Sequence, residues 1–147
     1  MKSNKDKDLK MKDVMISIVG TQKFGDGSDD SVELITSGKY SFNGGTSKLI
    51  YSESELTGLE GTETTFTVEP FGITMERSGN VSSRMVFEEG KKHFFLYETP
   101  FGAATMGINT HKIKNRLSEN GGDMEIDYAL DFDSSFLGRN QFKIHVI

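Results

Sequence analysis

The chain has 147 residues, which is the size of one domain, and its 27% charged and 35% hydrophobic residues exclude wholesale disorder. Its 17 basic and 22 acidic residues give a net charge of −5 at pH 7, which disfavours binding to nucleic acid. No apolar run is long enough to span a membrane as a helix, so we expect no membrane partner. Cysteine is absent, which fits a reducing compartment.

The first twelve residues, MKSNKDKDLKMK, contain no apolar stretch and do not form a secretory signal. We predict a flexible charged leader over residues 1–12 and a single domain over residues 13–147. Alanine, the best helix former, occurs only three times, whereas the chain has 16 glycines. Eleven phenylalanines and four tyrosines favour strands, so the composition predicts an all-β fold.

Apolar residues alternate with polar ones along most of the domain, as in strands that bury one face. The clearest example is the segment in which Met124, Ile126 and Tyr128 alternate with Glu125 and Asp127. Glycine-rich turn signals separate the segments and predict an antiparallel meander. The predicted strands are 14–22, 31–43, 46–56, 62–69, 72–78, 81–88, 91–98, 101–117, 123–133 and 138–147.

The predicted strand 101–117 changes its pattern partway along. Its apolar residues fall on even positions up to Ile108 and on odd positions from Ile113, which requires a bulge, expected between Gly107 and Thr110. A meander of about ten twisted strands tends to curl, and closure removes its exposed edges. We therefore predict an up-and-down β-barrel of about 8–10 strands, with a two-sheet sandwich as the alternative.

Four segments carry a resemblance to a known family: Tyr51 to Thr65 (YSESELTGLEGTETT), Arg77 to Phe87 (RSGNVSSRMVF), Tyr97 to Gly102 (YETPFG) with Gly107, and Leu117 to Tyr128. In these segments the chain resembles the YwiB-like proteins, an uncharacterised bacterial β-barrel family related to the lipocalin-like (calycin) barrels. The resemblance covers residues 14–147. It implies a small closed barrel in a bacterial, cytoplasmic protein and brings no activity, cofactor or catalytic residue with it. Lipocalin-type barrels often hold small apolar ligands, but fold alone does not imply function.

Two carboxylates lie close together in the third predicted strand. Tyr51, Glu53 and Glu55 share one face, with the carboxylates roughly 7 Å apart along the strand. That spacing falls within the range of about 6.5–9.5 Å found in inverting glycosidases, but any pair two residues apart would match it. A solvated outer face, or a charge pair at the mouth of the barrel, is the simpler interpretation.

Arg77 shares its parity with Ile73 and Met75 and is expected to point toward the interior or its rim. A buried guanidinium needs a partner, and Glu53 or Glu55 could supply it if neighbouring strands pair. The pair is either a structural clamp that closes one end of the barrel or a site for a ligand anion that replaces the glutamate.

His93 lies on one face with Tyr97, and the sequence leaves the direction of that face open. A core histidine with a hydrogen bond is a commoner role than a base or a metal ligand. With no cysteine and three scattered histidines, we predict no metal site and no cofactor.

The favoured function is binding of a small apolar or amphipathic ligand in the barrel lumen. Its polar lining is predicted to be Tyr51, Glu53, Glu55, Arg77, His93 and Tyr97. The alternative is a protein-interaction module, such as a homodimer, whose lumen is filled by the eleven phenylalanines and which acts through its outer surface. Catalysis is less favoured, because it would need Glu53, Glu55, Arg77 and His93 to converge in one cavity.

Overall fold

Ten β-strands follow one another in the computed structural model, which describes residues 11–23, 27–133 and 135–147. One short 3-10 turn, Glu55–Thr57, interrupts the strands within these ranges. The strands are β1 (Lys12–Lys23), β2 (Asp29–Asn43), β3 (Thr46–Ser52), β4 (Thr62–Glu69), β5 (Gly72–Gly79), β6 (Ser83–Phe87), β7 (Lys92–Thr99), β8 (Gly102–Ser118), β9 (Gly121–Phe132) and β10 (Ser135–Val146).

The strands form a single antiparallel sheet in the order β6-β5-β4-β3-β2-β1-β10-β9-β8-β7. The first and last strands pair directly, from Ile16 opposite Val146 to Lys23 opposite Arg139. The sheet therefore curls round and brings β6 next to β7, its neighbour along the chain. This confirms the predicted up-and-down barrel and rules out the two-sheet sandwich.

The seam between β6 and β7 is the weakest part of the barrel wall. Ser82 and Glu98 form an isolated bridge there, with each backbone N–H donating to the other residue's carbonyl oxygen at 2.9 Å. The loop after β6 is fastened to β8 instead, because Gly90 N–H donates to the Thr110 carbonyl and Ile113 N–H donates to the Glu89 carboxylate. The barrel is thus nearly closed, with nine regular strand pairings and one short bridge.

Side chains pack one half of the interior tightly. The apolar residues that alternate along each strand meet there, among them Phe66, Phe87 and Ile126, which are fully buried. Tyr40 closes this end of the barrel, since its hydroxyl donates to the carbonyl oxygen of Ser118 at 2.6 Å. The opposite half, next to Gln22 at the end of β1 and to the turn after β3, is less completely filled.

Three sequence predictions need correction. Strand β3 ends at Ser52 rather than at residue 56, because a turn begins there. The bulge in β8 lies between Thr110 and Lys112, just beyond the predicted window. Strand β1 begins at Lys12 rather than at residue 14, and residues 1–10 of the predicted leader lie outside the described part of the chain. Within the described ranges, no helix has the length and apolar character needed to cross a membrane.

Candidate functional site

A cavity of about 480 Å³ occupies the less filled half of the barrel. Aromatic rings form its floor: Tyr51 stacks on Phe66 at a centroid distance of 6.4 Å, and Tyr128 stacks on Phe142 at 5.8 Å. Phe66 and Phe142 meet edge to face at 6.1 Å, so these four rings make one continuous layer. The layer separates the packed half of the barrel from the cavity above it.

The apolar wall of the cavity comes from strands on both sides of the barrel. Ile18, Leu34 and Leu59 contribute to it, and Gly20 leaves open the space that a larger side chain would take. A Cβ added at Gly20 would reach only the Phe142 ring, at 3.7 Å. Exposed Asp30 also lines the cavity, on the mouth side.

A row of inward-facing polar groups crosses the wall opposite. The antiparallel register places Tyr51 beside Thr64, Thr64 beside Arg77, and Arg77 beside Ser83 on four successive strands. Each of these positions continues the inward alternation of its own strand. Register alone therefore brings the row together, and we call these four residues the polar row.

Glu53 lies one residue beyond β3 and points inward next to the polar row. Its backbone N–H donates to the Thr62 carbonyl at 2.8 Å, which extends the β3–β4 pairing by one step. Its carboxylate accepts the Thr57 hydroxyl at 3.0 Å and the Thr64 hydroxyl at 2.5 Å. Only 2% of the Glu53 side chain is exposed, so this carboxylate is buried with two hydroxyl donors.

Arg77 supplies the matching cation, as the sequence predicted from its parity. Its Nε lies 3.8 Å from a Glu53 carboxylate oxygen, which is close enough for an ion pair but too long for a hydrogen bond. The Arg77 side chain is 13% exposed, and its Nε is buried without a hydrogen-bond acceptor. The pair is therefore electrically balanced but leaves a donor of Arg77 unused.

Two tyrosines of the floor are held in the neutral form. Burial raises the pKa of Tyr51 well above its ordinary value, and the negative charge of Glu53 raises it further, against the opposing effect of Arg77. Burial also raises the pKa of Tyr128, again opposed by Arg77. At neutral pH both phenols are thus uncharged hydroxyl groups.

The structure brings together four of the six predicted lining residues: Tyr51, Glu53, Arg77 and Tyr97 all line the cavity. Glu55 does not, because the chain turns after Glu53. Ser54 caps the turn by accepting the Leu56 N–H, and Glu55 becomes exposed. The prediction that both carboxylates share a strand face is therefore wrong.

His93 lies near the start of β7, toward the opposite end of the barrel from the cavity. It faces the same side as buried Phe95 and lies 2.9 Å from the Glu88 carboxylate. This hydrogen bond, with a second one to Lys91, lowers the pKa of Glu88. The convergence of Glu53, Glu55, Arg77 and His93 that catalysis would require does not occur.

Three further residues of the cavity were not predicted from the sequence. Tyr128 belongs to the alternating segment that the sequence indicated, and Phe142 lies on the inward face of β10. Asn140 shares the parity of Phe142 and Ile144, and its side-chain nitrogen is buried with no acceptor. A polar residue on an otherwise apolar inward stripe was the available signal.

The donor set does not suggest a metal centre. Among the residues that the structure describes, no three His, Asp or Glu side chains lie close enough together to hold a metal ion. Glu53 is the buried carboxylate of the cavity, and hydroxyl groups already occupy both of its oxygens. Chemically, the arrangement offers hydrogen-bond donors beside an apolar, aromatic space.

The barrel is similar to the crystal structure of the ywiB protein from Bacillus subtilis. The TM-score is 0.71 at 23% sequence identity, and the match covers 94% of this chain and 96% of that chain. At this sequence identity the similarity shows a shared fold. No curated protein matches the chain in sequence. The model of a family described as a domain of unknown function, DUF1934, matches residues 16–144, which span nearly the whole barrel. The YwiB-like resemblance is thereby confirmed, and the chain belongs to the DUF1934 family.

Proposed function

We propose that the protein binds a small amphipathic molecule in the lumen of its barrel. The observation that carries the proposal is the cavity of about 480 Å³, which falls within the range of about 300–1,000 Å³ typical of ligand pockets. Its aromatic floor and aliphatic wall suit an apolar body. The polar side chains of Tyr51, Glu53, Arg77 and Asn140 suit one polar head.

The distribution of phenylalanines supports an open lumen. Of the eleven, five are largely exposed on the outside of the barrel: Phe71, Phe94, Phe101, Phe132 and Phe136. Among the phenylalanines that the structure describes, only Phe142 lines the cavity, where it lies in the floor. This distribution favours an open lumen over one filled by phenylalanine, while a role of the outer surface, or a homodimer, stays a prediction. Cytoplasmic location also stays a prediction.

A pair of variants on β1 tests the proposal. Gly20→Phe places a ring in the cavity, because a Cβ at Gly20 has room and points toward Phe142. Val19→Phe adds the same ring on the opposite face of the same strand. The uncharged dye Nile red, whose fluorescence rises in apolar surroundings, serves as the probe.

We expect saturable dye binding to the wild-type protein and to Val19→Phe. Gly20→Phe should weaken the binding by about tenfold or more, which corresponds to the loss of one well-packed contact group. Far-UV circular dichroism establishes that both variants are folded. Absence of saturable binding to the wild type, or equal binding by the two variants, would refute binding in the lumen.

A further inference from the structure

The cavity contains two buried donors that have no acceptor. Among the described residues, four buried side-chain atoms lack a hydrogen-bond partner: Arg77 Nε, Asn140 Nδ2, Ser83 Oγ and Thr110 Oγ1. Of these residues, Arg77 and Asn140 line the cavity, and their two orphaned atoms are nitrogen donors. Buried polar groups almost always have partners in folded proteins, so two unused donors in one cavity are unusual.

Glu53 is the cavity's buried acceptor, and it is already engaged. Each of its carboxylate oxygens accepts a threonine hydroxyl, from Thr57 on one side and Thr64 on the other. Its nearest approach to Arg77 Nε is 3.8 Å, beyond hydrogen-bond distance. Among the described residues that line the cavity, the two buried side-chain atoms without a partner are thus both donors, and a complementary ligand brings acceptor oxygens.

Charge decides which kind of acceptor fits. The buried carboxylate of Glu53 and the guanidinium of Arg77 already balance each other. A ligand carboxylate would add a second buried negative charge near Glu53, with Asp30 on the mouth side as a further repulsive charge. Burying a charge without its own counter-ion is costly, whereas a neutral carbonyl oxygen keeps the balance and still accepts hydrogen bonds.

We infer that the ligand of this cavity is an uncharged carbonyl compound with an apolar tail, such as a fatty amide or ester. Its carbonyl oxygen accepts from Arg77 and Asn140, and its tail lies over the aromatic floor. This inference rests on the proposed function, since it names the head group of the molecule bound in the lumen. Three residues would recognise the head group: Arg77 and Asn140 act as donors, and Glu53 balances the charge of Arg77.

Three probes with the same tail test this inference: decanamide, decanoate and decylamine, each displacing Nile red at neutral pH. Decanamide has a neutral acceptor, decanoate a negative charge, and decylamine a positive charge without an acceptor. We expect decanamide to bind about tenfold more tightly than either charged probe. If decanoate binds as tightly as decanamide or more tightly, the inference is overturned in favour of an anion site. If decylamine binds as tightly as decanamide, the donors do not recognise the head group and the inference is also overturned.

Two variants identify the donors. Asn140→Leu removes one donor and keeps the branched shape of the side chain, and Lys143→Leu, on the outer face of the same strand, is its matched control. We expect Asn140→Leu to weaken decanamide about tenfold and Lys143→Leu to leave it unchanged. The double variant Glu53→Gln/Arg77→Met removes both charges together and should abolish the preference for decanamide over decylamine. An unchanged preference in Asn140→Leu and in the folded double variant would refute the assignment.

The outcomes separate this inference from the proposed function. If Nile red binds and Gly20→Phe blocks it, but decanamide shows no advantage, the lumen is a binding site and the carbonyl assignment is wrong. If Nile red does not bind the wild type at all, the proposed function fails and the inference falls with it.

Discussion

Removal of the Arg77 guanidinium gives the sharpest test of how the cavity is built. In Arg77→Met the aliphatic stem is kept, but the Glu53 carboxylate stays buried with 2% of its side chain exposed and no cation nearby. Breaking a buried pair on one side costs about 3–5 kcal/mol in folding free energy. Because Thr57 and Thr64 still donate to Glu53, we expect a value near the lower end, about 3 kcal/mol.

The reverse change should cost less. Glu53→Gln keeps an oxygen that accepts a threonine hydroxyl, and the Arg77 side chain left behind is 13% exposed, so part of its charge reaches water. We expect a loss of about 1–2 kcal/mol. The double variant Glu53→Gln/Arg77→Met has no buried charge and should lie within about 1 kcal/mol of the wild type. The two single changes are thus expected to be coupled by about 3 kcal/mol.

Urea unfolding followed by circular dichroism measures these free energies, on the condition that each transition is two-state. The ion pair between Lys39 and Asp13 is the control, because its side chains are 57% and 83% exposed. Lys39→Met should cost less than about 1 kcal/mol, as exposed pairs generally do. If Arg77→Met costs no more than Lys39→Met, or if the cycle is additive, the account of Glu53 as a compensated buried charge is refuted.

Two further predictions concern packing and pH. Gly38→Ala should lower the free energy of unfolding in urea by about 1–3 kcal/mol, because its Cβ would lie 2.5 Å from the carbonyl oxygen of Ile50. Gly20→Ala should leave this free energy unchanged or raise it by up to about 1 kcal/mol. Equal urea midpoints for the two variants would contradict the packing argument. Burial raises the pKa of Tyr51 and Tyr128 above the ordinary value of about 10, so the stability they confer is intact below that pH and falls as the pH rises beyond it. Their phenolate absorbance should appear together with alkaline unfolding, and ionisation of all four tyrosines in a folded barrel would contradict this.

The fold was largely predictable because one physical rule governs most of the chain. A strand with one solvent-exposed and one buried face must alternate polar and apolar residues along its sequence. This alternation predicted ten strands in their observed order. Closure of the barrel was predictable as well, because pairing the first and last strands of a long meander removes its exposed edges. The filling of the lumen was not, because the number of phenylalanines says nothing about the face on which each one lies. Phe94 and Phe101, for example, are largely exposed.

The site was predictable only where the alternation of side chains within a strand decides it. Arg77 and Tyr51 follow the inward parity of long strands, so the sequence placed them correctly beside the lumen. Glu53 points inward and Glu55 does not, because a turn begins between them. The alternation rule holds only within a strand and fails where the strand ends. His93 obeys parity, but parity gives the face of a residue and not its height along the barrel axis. Height depends on the register between strands, which a single sequence leaves open.

Asn140 provides a test of whether the two halves of the barrel divide stability and ligand binding between them. The packed half supplies the apolar burial, so the open half can keep a buried donor without a partner at a cost of about 1–3 kcal/mol. Asn140→Leu should therefore raise the stability of the unliganded protein by about 1–2 kcal/mol, which corresponds to a rise of about 2–8 °C in Tm. The same substitution is expected to weaken decanamide. If Asn140 had a purely structural role, the substitution would change stability without weakening decanamide binding. Measuring stability and binding on the same variant therefore distinguishes a ligand-binding role of Asn140 from a structural one.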